Sequence, residues 1–209
     1  MLTGFVAGLW LITLSELGDK TFFIALCLAM QHSRRWVLLG AVLALAAMTI
    51  LSVGLGQFAA FLPKQWIHHG VIILFVFFGI KLLYDAFRMG KNQTSDAEKE
   101  AVETIAASTH PQKTHRKRST AWAVVVEAFT LTFLAEWGDR TQIATISLAA
   151  AHHPLGVTLG AIVGHTFCAL LAVFGGSLIA GRLSERVITG VGGLLFLIFA
   201  IVTVFEGAQ

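Results

Sequence analysis

Glu16-Leu17-Gly18-Asp19-Lys20-Thr21 and Glu136-Trp137-Gly138-Asp139-Arg140-Thr141 are one acidic hexapeptide written twice, 120 residues apart, each in the middle of a long apolar stretch. A carboxylate near the centre of a bilayer costs roughly 2.5 to 3.5 kcal/mol on insertion scales. Such groups persist where they line a cavity, pair with a base or hold an ion. A chain that repeats so costly a feature is read first as one that handles ions.

Around the motifs the composition leaves little room for anything but membrane. Hydrophobic residues make up 56% of the 209, charged residues 13%, and the mean hydropathy is +0.77, which excludes an ordinary soluble domain. Apolar stretches run over residues 5–30, 36–61, 68–88, 121–151, 155–180 and 187–205, each long enough for the ~20 residues that cross a hydrocarbon core. The expected fold is all-α, a polytopic membrane protein of six transmembrane helices. The first stretch has Glu16, Asp19 and Lys20 at its middle and no basic segment before it, so it reads as a retained helix and not a cleaved signal. Cys27 and Cys168 lie within apolar spans without metal or redox spacing and read as small core residues.

The net charge of +3 comes from bases placed between spans, which argues for membrane topology and against nucleic acid. Arg34, Arg35, Arg88, Lys91, Lys99, Lys113, Arg116, Lys117, Arg118, Arg182 and Arg186 share one side, and only Lys64 lies on the other. The positive-inside rule places both termini outside the cytoplasm.

The 120-residue offset continues without a gap from Leu14/Leu134 through His32/His152, Gly40/Gly160 and Gly56/Gly176 to Gly70/Gly190. Residues 1–89 and 120–209 are therefore expected to be three-helix repeats, joined by a cytoplasmic linker over residues 90–119. An odd number of spans turns the second copy upside down, the inverted-repeat plan of many secondary transporters. That symmetry brings the two motifs to one site near the midplane.

Glu16, Asp19, Glu136 and Asp139 supply hard oxygen ligands suited to Mn2+ or Ca2+ as a transported substrate, and no resident cofactor is expected. Were the helices regular, Thr13, Phe23 and Cys27 would share a stripe with the first motif, as would Thr132, Ile143 and Ser147 with the second. Gly18 and Gly138 either let helices pack closely or let them unwind at the site. Gly160 with Gly164, and Gly175 with Gly176, read as packing contacts. Lys20 and Arg140, four residues after each Glu, are supporting charges expected to pair within their own motifs. Such pairs would still leave Asp19 and Asp139 uncompensated. Thr21, Thr141, Gln142, His165 and Glu127 are secondary candidates. His165 either joins the site or hydrogen-bonds between helices, and Glu127 lies either on the ion's way in or at the lipid interface. The linker reads as a soluble helix over Ser95 to Ser108 followed by a basic patch, Lys113 to Arg118, a solvated segment lying against anionic lipid. A metal-sensing role for His110 and His115 has no support in their spacing.

The double Glu-x-Gly-Asp-(Lys/Arg)-(Thr/Ser) motif resembles the Gdt family of small membrane cation/proton antiporters. The resemblance covers nearly the whole chain, and Leu134 to Ala144 is similar to the second family motif without departure. It implies Ca2+ or Mn2+ transport against protons, with the cation on Glu16, Asp19, Glu136 and Asp139. The short chain looks most like bacterial or cyanobacterial manganese exporters, in the bacterial inner or the thylakoid membrane. The expected activity is export of Mn2+, with Ca2+ as a second candidate, by alternating access. The competing readings are an intramembrane acid/base or metal-dependent enzyme and a cation channel. Symmetry-copied acids, and the lack of a Ser-His or HExxH arrangement in any span, count against the enzyme.

Overall fold

The computed structural model describes residues 1–61, 63–88, 96–108, 120–175 and 185–206. Among these, the regular elements are α1 (Leu2–Glu16), α2 (Lys20–Gln31), α3 (Arg34–Ala59), α4 (Lys64–Arg88) and α5 (Asp96–Ser108), followed by α6 (Ala121–Ala135), α7 (Arg140–Ala151), α8 (Pro154–Leu170) and α9 (Glu185–Glu206). One π-helical turn, Leu171–Gly175, extends α8. The protein is all-helical. By length and apolar composition α3, α4 and α8 with its π turn can each cross a membrane, and the pair α6–α7 can make a fourth span.

The first and fourth apolar stretches are not continuous helices. Each divides at its acidic motif, α1 from α2 and α6 from α7, and the second pair meets at 76°. The cause is local: Gly18 and Gly138 sit at φ 75° and 81°, a left-handed conformation that cannot propagate a right-handed helix. The single stripe expected for a regular helix is therefore lost. Beyond the break the buried face of α2 runs through Thr21, Phe22, Ala25, Leu28 and Ala29, while Phe23 and Cys27 are only partly covered.

Glycines set the tightest helix contacts. A Cβ on Gly160 would run into the Phe5 carbonyl, and one on Gly164 would stand 2.9 Å from Thr13 Oγ1, so α8 lies directly on α1. Gly40 plays the same part between α3 and α6, where a Cβ would be 2.8 Å from that of Ala128. Gly160 and Gly164 are thus the packing contacts their spacing suggested. On the far side α4 packs on α9 through aromatic edges such as Phe75 against Phe196, with centroids 5.7 Å apart. Large apolar side chains, among them Ile50, Phe58, Ile73, Phe77 and Ile198, are left on the outer surface. Exposed Trp36, Trp66 and Trp122 each stand near the start of a helix. An apolar outer surface of this kind fits lipid contact.

The linker departs from expectation. Residues 96–108 are helical as read, but not solvated all round: Ala101 and Ile105, at i, i+4 spacing, are 0% and 8% exposed in a cluster with Phe22, Leu28 and Val124. The two side chains form a short apolar stripe that α2 covers. The basic patch Lys113 to Arg118, His110, His115, Lys91, Arg182 and Gly176 lie outside the described residues.

Candidate cation site

The two breaks are built alike. Glu16 ends α1 and Glu136 follows the last residue of α6; in each, the Glu carbonyl accepts from the Asp N–H three residues on, at 3.2 Å. Thr21 Oγ1 donates to Glu16 Oε2 at 3.0 Å, and Thr141 Oγ1 donates to Glu136 Oε2 at 3.1 Å. Asp19 and Asp139 then hold the N-cap positions of α2 and α7; the Asp19 carboxylate accepts from the Lys20 N–H at 2.8 Å, whereas the Asp139 side chain makes no capping bond. Each break therefore sets two carboxylates between the C-terminus of one helix and the N-terminus of the next, whose partial charges are opposite and largely offset, so the carboxylates supply the negative charge. Such an arrangement attracts a cation.

Glu16, Asp19 and Asp139 offer ligand atoms that all lie within 4.8 Å of one another, bringing the two motifs to one place. Glu136 is outside that trio but adjoins it: it is 1% exposed, and Thr141 Oγ1, 3.1 Å from Glu136 Oε2, lies 3.4 Å from Asp139 Oδ2.

Arg140 departs from the expected pairing. Its Nη2 lies 3.3 Å from Asp19 Oδ2 and donates to the Ser15 carbonyl at 3.2 Å, so this base reaches into the other motif. The i, i+4 rule presumes an unbroken helix, and Arg140 begins a new one whose axis is turned by 76°.

Polar atoms at the breaks are conspicuously short of partners. Among the described residues, the buried side-chain atoms with no hydrogen bond are Glu16 Oε1, Asp19 Oδ2, Glu136 Oε1, Arg140 Nε and His165 Nδ1, with the hydroxyls of Thr13, Ser15 and Thr132. Asp19 Oδ2 is in Coulombic range of Arg140 without hydrogen-bond geometry. Natural proteins satisfy nearly all such groups, so a cluster of orphans is a place where ordered water or an ion would complete the bonding.

The secondary candidates separate. His165 is brought in, its Nδ1 4.0 Å from Glu16 Oε1. Gln142 braces the second break: its Oε1 accepts from the Gly138 N–H at 2.7 Å, and its Nε2 donates to Met48 Sδ. Glu127 lies away from the trio and pairs with His32 Nε2 at 3.5 Å, bridging the end of α2 to α6. Cys168 is buried and donates to the Thr13 carbonyl at 3.3 Å. Ser15 escaped the sequence reading; a hydroxyl beside an intramembrane Glu was its only signal.

Charged groups collected at two helix breaks inside an apolar bundle are the construction of a membrane ion transporter. Residues 4–90 and 124–209 match the family described as divalent cation/proton antiporter GDT1, and the chain belongs to that family. The resemblance read from the motifs holds at the level of the family. The chain is 55% identical over 203 residues to GDT1-like protein sll0615 of Synechocystis, covering 97% of both chains. It is 42% identical over 204 residues to GDT1-like protein 4 of Oryza sativa subsp. indica, covering 96% of this chain and 73% of that one. It is also 41% identical over 213 residues to the chloroplastic PAM71-homolog of Arabidopsis thaliana, covering 97% of this chain and 59% of the relative. No solved structure shows a significant match.

Proposed function

We propose that the protein exports Mn2+ from the cytoplasm in exchange for protons, with Ca2+ as a second candidate cargo, binding the cation on Glu16, Asp19, Glu136 and Asp139. The observation that carries this is the meeting of Glu16, Asp19 and Asp139 from both motifs in one oxygen-rich cluster. Oxygen ligands suit Mn2+ and Ca2+ alike. Mn2+ is put first because of the motif resemblance.

In this reading residues 1–89 and 120–209 are inverted three-helix repeats, and α1–α2 and α6–α7 are broken spans that bring the total to six. Residues 90–119 are the cytoplasmic linker, and both termini are non-cytoplasmic, in a bacterial inner or thylakoid membrane. The like geometry of the two breaks supports a repeat, and the distribution of Lys and Arg supports the orientation. Thr21 and Thr141 position the glutamates, Lys20 and Arg140 hold down the negative charge, and the halves rock about the site.

The test is reconstitution into liposomes. An imposed pH gradient should drive Mn2+ movement, Mn2+ movement should in turn shift internal pH, and Ca2+ should compete. Mn2+ flux that leaves pH unchanged would identify a channel instead.

A further inference from the structure

His165 does not behave as a helix-packing histidine. It is 6% exposed on α8, and its Nδ1 faces Glu16 Oε1 across 4.0 Å with neither atom hydrogen-bonded. A hydrogen bond would have closed that gap to about 2.7 to 3.2 Å. Two ligand atoms on one cation, each about 2.1 to 2.4 Å from it, stand roughly 3 to 4.5 Å apart. The separation leaves room for an ion between the two atoms, and His165 stands beside the trio of Glu16, Asp19 and Asp139 on the Glu16 side and not within it.

The feature belongs to one half alone. α8 lies on α1 as α3 lies on α6, yet the position 120 residues before His165 is Leu45, and the one before Cys168 is Met48. Thr13, whose hydroxyl is another buried orphan and lies against Gly164, corresponds to Phe133. The repeat that duplicates the acids thus adds nitrogen on the Glu16 side only.

We propose that His165 is a ligand of the transported cation, and that its ring nitrogen makes the site prefer Mn2+ over Ca2+ and Mg2+. This rests on the reading of Glu16 as a cation ligand. Ca2+ and Mg2+ take oxygen ligands almost exclusively, whereas imidazole is a ligand of first-row transition ions, of which Mn2+ binds it most weakly. An all-carboxylate centre separates Mn2+ from Ca2+ only by cavity size; one nitrogen separates them by chemistry.

Two measurements test this. Pulsed electron paramagnetic resonance on the purified full-length protein loaded with Mn2+ should show nitrogen hyperfine modulation from imidazole, and His165→Gln should lose it. In liposomes, His165→Gln should raise the Mn2+ concentration for half-maximal transport by about tenfold or more while leaving that for Ca2+ within about twofold. Bound Mn2+ without nitrogen modulation in the wild-type protein would overturn the proposal and leave the carboxylate site standing. Equal weakening of Mn2+ and Ca2+ would do the same. A wild-type protein that binds no Mn2+ would remove both readings. The wild-type spectrum needs no variant, so the test survives a His165→Gln protein that fails to fold, and His165→Asn offers a second substitution.

Discussion

Arg140 shows how far single residues could be read before the fold was known. That it stands among carboxylates follows from the motif, but its partner does not: Asp19 is 121 positions away in sequence and 3.3 Å away in space. The meeting of the two motifs was legible, since Glu16, Asp19 and Asp139 do come together as the duplicated hexapeptide suggested. The orphaned hydroxyls of Thr13, Ser15 and Thr132 were less so, since an isolated hydroxyl in an apolar helix usually bonds back to its own backbone, as Thr49 and Ser52 do. The acids are expected to act as one unit. Glu16→Gln, Asp19→Asn, Glu136→Gln and Asp139→Asn should each abolish most Mn2+ uptake in liposomes while the protein still elutes as a folded species on size exclusion. Full transport by any two of them would refute a single centre. Arg140→Gln is expected to differ, because it removes positive charge and no ligand. The cavity becomes more negative, so Mn2+ should bind tighter and leave more slowly, lowering turnover. A variant with unchanged affinity and turnover would show that Arg140 does not tune the site.

At the scale of elements the two glycine breaks decide the architecture, and sequence alone left them open, since glycine serves close packing and unwinding equally well. Conformation resolves the choice: both take positive φ, and a Cβ on Gly138 would meet nothing within 4 Å. Gly138→Ala therefore isolates the backbone term. Placing an L-residue in the left-handed region costs about 1 to 2 kcal/mol, which for a chain of this size lowers the melting temperature by roughly 2 to 8 °C. Thermal unfolding in detergent should show that loss, with Mn2+ transport impaired as Asp139 shifts; an unchanged melting curve would mean the turn does not need its glycine. Gly160→Leu offers the steric contrast, because a side chain there meets the Phe5 carbonyl and must push α8 off α1. The linker taught the opposite lesson. Its charge pattern hid the stripe of Ala101 and Ile105, because an alanine counts little in hydropathy and yet fits flush against α2.

For the whole molecule the inference turns on charge. With four motif carboxylates ionised and Lys20 and Arg140 protonated, the set sums to −4 plus +2, or −2. In a low-dielectric interior such an excess is expensive, so an empty site resists being carried across the hydrophobic barrier. One divalent cation brings the sum to zero, and two protons on the carboxylates do so equally. On the proposed reading either loaded form would reorient while the empty form would not, and electrostatics would make exchange obligatory. Such a cycle would move about two protons per Mn2+ and no net charge. The fold contributes the meeting of Glu16 and Asp19 of the first break with Asp139 of the second, which puts three of the four carboxylates in one place. Reconstituted protein should therefore show Mn2+ flux that rises with an imposed pH gradient and barely responds to a potassium-diffusion potential imposed at equal pH. Voltage-driven Mn2+ flux without proton movement would mean that the site crosses the membrane charged, and obligatory exchange would lose its physical basis.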